Sequence, residues 1–434
     1  MTFPGPNATQ LLEDAALYYA TSTNDSRTPI ARGKGPYLWD KDGHKYIDMH
    51  CGAGVTNLGH GHPESITAIC YHLFETGIIH TEHHNAVNPA AMELVKSFLS
   101  TKTPVPKPAK TFLSCTGAEA NEAARKLCEA YRLHRNERHV RSHAIYFYNG
   151  FAGRTHGVLA GTTSNPSVQR DPFWNHCDQK QSIYLPFPTR ANAELLREEL
   201  SHLLPWTVDR LLIELPCQGE GGIIPADEET LKHLYQVTHD AGILWIVDSV
   251  QCGIGRVGTL FGCDLYPWLK PDILTLAKAL GGGLPIGATI FRADLDWKKG
   301  EHSNTFGGNP VVCQLACTIL NCVQNLIESG AIRSIEQIMH KRLHILRRHP
   351  FVHDVRGIGA MWGVELPTTA LRDRLIDIGE EMAETDGCGI KLLATSSFSK
   401  SVRLMPPLTI SPKDLKFGLD LFLTALNKLQ VETS

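Results

Sequence analysis

No stretch of this 434-residue chain reaches 18 consecutive apolar residues, the length that marks a membrane-spanning helix. Nor is there an excess of charge of either sign. With 42 Lys+Arg against 45 Asp+Glu and a net charge of −3, the chain carries no electrostatic footprint for nucleic acid or an anionic membrane. Among 12 cysteines there is no CxxC pair, and Cys313, Cys317 and Cys322 recur at helical spacing in an apolar stretch. That pattern favours buried thiols over a disulfide framework and predicts a reducing compartment. The opening segment, MTFPGPNATQLLEDAALYYA, lacks a basic region followed by an apolar run, so a soluble, cytoplasmic protein is expected. The glycosylation pattern at Asn7 carries no weight without a secretion signal. A GxxxxGK[ST] phosphate loop, internal repeats and low-complexity tracts are also missing. A small-molecule partner is the default that remains, and 434 residues with 42% hydrophobic content can bury a large core, which permits an enzyme.

The pattern that is present is alternation. PYLWDKDGHKYIDM sets Asp42 and Gly43 between two aromatic-rich runs, which predicts a hairpin within the first 60 residues. From about residue 110 to 295 the apolar runs TFLSC, HAIYFY, RLLIEL, GILWIVD, DILTLA and GATIFR are separated by amphipathic segments. Such alternation predicts an α/β domain with a mostly parallel sheet. In AEANEAARKLCEAYRL, residues Ala120, Ala123, Ala124, Leu127, Cys128 and Tyr131 mark the core face of a helix. After residue 310 the chain reads as a long helix, then strands MWGVEL and VRLMPPL and a closing helix, a smaller α+β unit.

GIGRVG, with Gly253, Gly255 and Gly258, matches the dinucleotide-binding GxGxxG pattern. The segment after it, TLFGCDLYPWLKPD, holds two prolines and no helical period, so the required helix is missing. A different constellation carries chemistry. Lys278 ends the apolar run DILTLA beside Gly281, Gly282 and Gly283, a setting that lowers an amine's pKa and lets a bulky ligand approach the backbone. The plainer alternative is a lysine snorkelling from a strand end. Asp248 ends GILWIVD, where a carboxylate needs a partner. The protonated ring nitrogen of pyridoxal phosphate (PLP) is one such partner, a helix cap or structural ion pair another. Thr116, Gly117 and Ala118 stand where a strand gives way to a helix, either as an anion site or as an ordinary N-cap. Phe151, in the glycine-flanked loop YNGFAGRTHG, either stacks on a flat ring or plugs the loop.

Taken together, GPYLWDKDGHKYIDMHCGAGVTNLGHGHP, CTGAEANEA, NGFAGRT, PCQGEGGIIPAD, IVDSVQCGIGRVG, LAKALGGGLPIGA, NTFGGNP, VRGIGAMWGVEL and VRLMPPLTI resemble the class III (subgroup II, ω-type) aminotransferases of PLP fold type I. That family includes ornithine, acetylornithine and 4-aminobutyrate aminotransferases. The resemblance implies an α/β large domain with a mostly parallel seven-stranded sheet, over residues 61–325, and a smaller α+β domain from residues 1–60 and 326–434. It implies Lys278 as Schiff-base lysine, Asp248 on the pyridine nitrogen, Val250 behind the ring, Phe151 in front and Gln251 on the ring oxygen. Gly117 and Ala118, next to Thr116, would hold the phosphate, with Thr305 reaching across from a second subunit, hence a homodimer. Arg403 would bind the substrate carboxylate, Glu220 would be its switching partner, and Arg154 would hold the second carboxylate of a diacid such as glutamate. A small-molecule amino donor and a keto acceptor are the implied partners, with no metal.

This chain departs from the family pattern around the ring. The usual Asp-Glu-Val-Gln reads Asp248-Ser249-Val250-Gln251, Phe-His-Gly-Arg reads Phe151-Ala152-Gly153-Arg154, and Asn-Ser-Gly reads Cys115-Thr116-Gly117. The acidic residue of a Glu-Pro pair falls on Leu215, with Glu214 one place early. A dialkylglycine-type decarboxylase or an aminomutase shares the scaffold and is the alternative within the class. Outside it, His60 and His62, with His80, His83 and His84, form histidine clusters that raise a metal-binding protein, although GHGHP reads better as a turn.

Overall fold

The computed structural model describes residues 3–23, 28–81, 87–100, 103–137, 141–176 and 181–433. Seven strands make the central sheet: β1 (Ala109–Ser114), β2 (His143–Phe147), β3 (Ser182–Leu185), β4 (Val208–Glu214), β5 (Leu244–Asp248), β6 (Ile273–Leu276) and β7 (Gly287–Arg292). Their order is β1-β7-β6-β5-β4-β2-β3. β7 runs antiparallel to both of its neighbours, and every other pair is parallel. The six apolar runs of the sequence each form a strand of this sheet. β3 is the strand the pattern passes over: it is a four-residue edge strand of which only Leu185 is buried, so it lacks a continuous apolar signature.

Every residue of β5 and β6 is buried, because helices cover both faces of a parallel sheet. Helix α1 (Gly117–His134) lies across β1, β4, β5, β6 and β7. Ala120, Ala123, Ala124, Leu127 and Cys128 are buried as the spacing predicts, and Tyr131 is half-buried. Helix α2 (Glu228–Asp240) leads into β5 and is capped by the Asp227 side chain, which accepts from the Thr230 amide at 3.0 Å. Among the described residues one helix, α3 (Pro310–Glu328), is long and apolar enough to cross a membrane. Most of it is buried inside the protein, against helices Pro63–Thr76 and Pro89–Ser100, where Cys313, Cys317 and Cys322 are free thiols in the core.

The predicted hairpin is present as Tyr37–Asp40 and Lys45–Asp48, extended by Ile30–Lys34. It is also stitched to the far end of the chain, because Gly389–Lys391 pairs parallel with Lys45–Asp48. A second antiparallel sheet holds Asp354–Ile358, Met361–Glu365, Ser401–Leu404 and Leu393–Ala394 in that order. GIGRVG forms a turn with no helix after it, as expected, and Gly255 and Gly258 take φ of +81° and +92°. Its Arg256 is wholly buried and donates to the carbonyls of Ala360 at 3.0 Å and Pro406 at 2.7 Å, so this segment locks the fold together.

Candidate active site

A parallel sheet places the carboxyl ends of its strands, with the helix starts that follow them, along one edge. Here that edge opens into a cavity of about 400 Å³, lined among others by Thr116, Gly117, Ala118, Phe151, Arg154, Glu214, Glu220, Asp248, Val250, Gln251 and Lys278. Ten of the twelve candidate positions thus meet in one place. Thr305 and Arg403 do not line the wall: Thr305 is exposed, and Arg403 stands behind Glu220.

Lys278 follows β6 directly and adopts φ +42°, an unusual value for a residue with a Cβ and one that clusters at functional sites. Burial of its amine holds the pKa below the ordinary lysine value, and nearby Arg403 acts in the same direction against Glu220, Glu214 and Asp248. Asp248 ends β5 and is 5% exposed. One carboxylate oxygen accepts from the Val250 amide at 2.9 Å, the other from Asn121 Nδ2 at 2.7 Å. Burial raises its pKa, while those two bonds and Lys278 oppose the rise. Such a carboxylate is primed for a cationic partner.

Asn121 had no place among the sequence-derived candidates, yet it fixes Asp248. It also donates to the Ala152 carbonyl at 2.9 Å and accepts from the Thr275 hydroxyl at 2.8 Å. The available signal was an asparagine next to Ala120 on the buried face of α1. Glu214 was noticed only as a displaced acid. It lines the cavity, and its carboxyl is pushed up to about 8 by burial and by neighbouring Asp248.

Anion-binding groups converge at the start of α1. The first-turn amides of Gly117 and Ala118 have no carbonyl within the helix to bond. Thr116 is also the N-cap, its hydroxyl accepting from the Glu119 amide at 3.1 Å, so the structural reading of that residue holds too. A Cβ on Gly117 would lie 2.8 Å from Val250 Cγ1, so the glycine lets the helix start close onto the valine. Phe151 flanks the same cavity in a loop pinned by Thr162 and Thr163, whose hydroxyls accept from the amides of Ala152 at 3.1 Å and Gly150 at 2.8 Å. Gln251 donates to the Ala53 carbonyl at 3.2 Å, but its Oε1 is buried without a partner.

Arg403, in strand Ser401–Leu404, is 2% exposed. It donates through Nη2 to both Glu220 oxygens, at 3.0 and 2.9 Å, and through Nε to the Ala394 carbonyl at 3.1 Å, while Nη1 is buried without a partner. Arg154 sits exposed on the rim. The histidines lie elsewhere. His60 bonds Asp48 at 2.7 Å, His62 stands at the N-cap position of helix Pro63–Thr76 without a side-chain capping bond, and His80 rests on Phe306 with ring centroids 5.3 Å apart. His83 and His84 lie outside the described residues, and among those described no group of three metal-capable side chains occurs.

These residues fit PLP. The buried Asp248, the unpartnered Gln251 oxygen, the free amides of α1 and the amine of Lys278 are the complements of a pyridinium, a ring hydroxyl that donates, a phosphate and an aldehyde.

Comparison with known proteins gives a consistent result. The class-III aminotransferase family matches residues 18–426. The chain is 34% identical over 406 residues to acetylornithine aminotransferase of Methanocaldococcus jannaschii, covering 93% of each. It is 32% identical over 401 residues to succinylornithine transaminase of Yersinia pestis, covering 90% of each. Among solved structures, a Bacillus anthracis aminotransferase superposes with a TM-score of 0.84 at 25% identity, over 97% of this chain and 99% of that one.

Proposed function

The chain belongs to the class-III aminotransferases, PLP-dependent enzymes that move amino groups, and from that premise we propose how its own residues do so and on what. The amino donor is an amino acid, with glutamate and 2-oxoglutarate as one donor and acceptor pair. Relatives named for acetylornithine and succinylornithine suggest an ω-amine carrying a blocked α-amino group as the other donor. The observation that carries the reading is the convergence of Lys278, Asp248 and the first turn of α1 on one cavity.

When bound, PLP supplies an aldehyde that takes up the amino group and a protonated ring that withdraws electrons from the reacting carbon. Lys278 anchors it covalently, and its Nζ holds and moves the proton, a task suited to an amine whose pKa is lowered by burial. The Asp248 carboxylate keeps the ring nitrogen protonated, with Asn121 holding the carboxylate in place. Gly117, Ala118 and Thr116 receive the phosphate. Val250 and Phe151 enclose the ring, and Gln251 meets its oxygen. Arg403 grips a substrate carboxylate when Glu220 releases it, and Arg154 at the rim takes the second carboxylate of a diacid. Two protomers complete two sites, each giving Thr305 to its partner, and the enzyme works in the cytoplasm.

Purified protein should be yellow. Borohydride should fix the chromophore on Lys278, as read by peptide mapping, and glutamate should bleach it towards the pyridoxamine form. An adduct on another lysine, or bleaching by alanine but not by glutamate, would count against these assignments.

A further inference from the structure

Glu214 closes β4, a strand whose other residues are all buried, and the roles above leave it unused. Its Oε1 accepts from the Phe151 amide at 3.0 Å and its Oε2 from the Gly219 amide at 3.1 Å. The first amide belongs to the loop whose ring flanks the cavity. The second immediately precedes Glu220, the partner of Arg403.

We propose that Glu214 is a positioning residue that ties the Phe151 loop to the Gly219–Glu220 turn. It thereby sets where Glu220 stands against Arg403, and so the discrimination between donors bearing one carboxylate and two. This rests on the substrate roles given above to Glu220 and Arg403.

Crowding at Gly219 supports the tie. A Cβ there would lie 1.7 Å from Gln251 Oε1, so the turn stands tight against that side chain, with Glu214 Oε2 at ordinary contact distance, 3.5 Å. Neighbouring strands add a second argument. Glu214 pairs in register with Asp248, so two carboxyls stand side by side at the cavity edge. Around it are Asp248 on β5, Glu220 on the turn, Lys278 after β6, and the thiols of Cys217 and Cys252. Burial first, then Asp248, raises the Glu214 carboxyl to about 8. Below that pH it is neutral, and its two oxygens face the Phe151 and Gly219 amides without a full charge. Above it, a new negative charge sits beside Glu220 and Asp248. The tie therefore changes character near pH 8, where both the donor preference and the ring environment should respond.

The test uses holoenzyme of the wild type and of Glu214→Gln, whose amide keeps one acceptor oxygen but turns an NH2 group towards the other backbone N–H. The kcat/KM ratio for glutamate over N-acetylornithine should shift by more than about tenfold in the variant. The absorbance of the bound cofactor, titrated from pH 6 to 10 with no substrate present, should show a step near pH 8 in the wild type that the variant lacks. An unchanged ratio together with identical titrations would overturn the proposal. Should Glu214→Gln fail to fold, the wild type decides: a step near pH 8 in both ratio and absorbance supports the tie, and flat profiles overturn it. Wild-type enzyme that converts neither donor would instead overturn the substrate reading, and the titration would then decide on Glu214 by itself.

Discussion

Asp248 shows how much one side chain depends on its neighbours. A carboxylate at the end of a fully buried strand costs several kcal/mol to keep charged unless hydrogen bonds and a counter-charge offset the loss of water. Asn121 and the Val250 amide supply the bonds, Lys278 also favours the charged form, and in the proposed role the ring nitrogen of a bound cofactor would supply the counter-charge. Asp248→Asn keeps the shape and removes the charge. That variant should still retain cofactor through the phosphate cradle, yet lose well over tenfold in turnover, more than ~1.4 kcal/mol in barrier. Steady-state rates and the cofactor content of the dialysed protein check the two halves separately. A fully active variant would take Asp248 out of the site.

Elements place these residues, and helix α1 is the most demanding of them. It must begin close enough to β5 and β6 for its first-turn amides to face the cavity, and Gly117 is what allows this. The added methyl of Gly117→Ala would meet Val250 Cγ1 at 2.8 Å and Cγ2 at 3.2 Å. A valine on the chain just after a strand cannot swing aside cheaply, so overpacking of ~1–3 kcal/mol is expected. Part of that strain should appear as a displaced Val250, and hence as weaker cofactor binding. Equilibrium dialysis should show a dissociation constant raised roughly tenfold or more, with a smaller loss in melting temperature for protein stripped of cofactor. Strand Ser401–Leu404 illustrates the same point from the other side. The Ala394 carbonyl accepts from both Nε and Nη2 of Arg403 while Glu220 occupies the same guanidinium, so in the proposed switch only the glutamate would have to move.

At the scale of the whole molecule, the exposed position of Thr305 is explained if a second copy completes the site. Exposed apolar side chains gather beside it: Phe306, 63% exposed, and Ile79, 67% exposed, line one surface hollow. An apolar surface of that kind argues for a covered face. Dilution that separates the protomers should therefore release cofactor, and Thr305→Ala should weaken its retention without lowering the melting temperature of the stripped protein. Sedimentation and absorbance recorded on the same dilution series would show whether the two losses coincide. A monomer that stays yellow and active would rule out the shared site.

Much of this was legible in the sequence, for a physical reason. Strands covered on both faces must be apolar throughout, so six of the seven strands of the central sheet show as short hydrophobic runs, and the residue at the end of each of the five mutually parallel runs lies at the sheet edge where ligands bind, while antiparallel β7 ends at the opposite edge. Lys278, Asp248 and the Thr116–Gly117–Ala118 corner could therefore be found from position in the run. Edge strand β3, with one buried residue, leaves no such trace. Three things were decided only by tertiary structure. Asn121 looks like any polar residue of a helix until the fold brings Asp248, Ala152 and Thr275 to it. Arg403 lies 183 positions from Glu220, and no local pattern encodes a pair that forms only when a distant strand passes behind the sheet edge. The register of Glu214 opposite Asp248 turns an acid one place out of pattern into a cavity residue, because which strand neighbours face each other is fixed by pairing between strands and not by either strand alone.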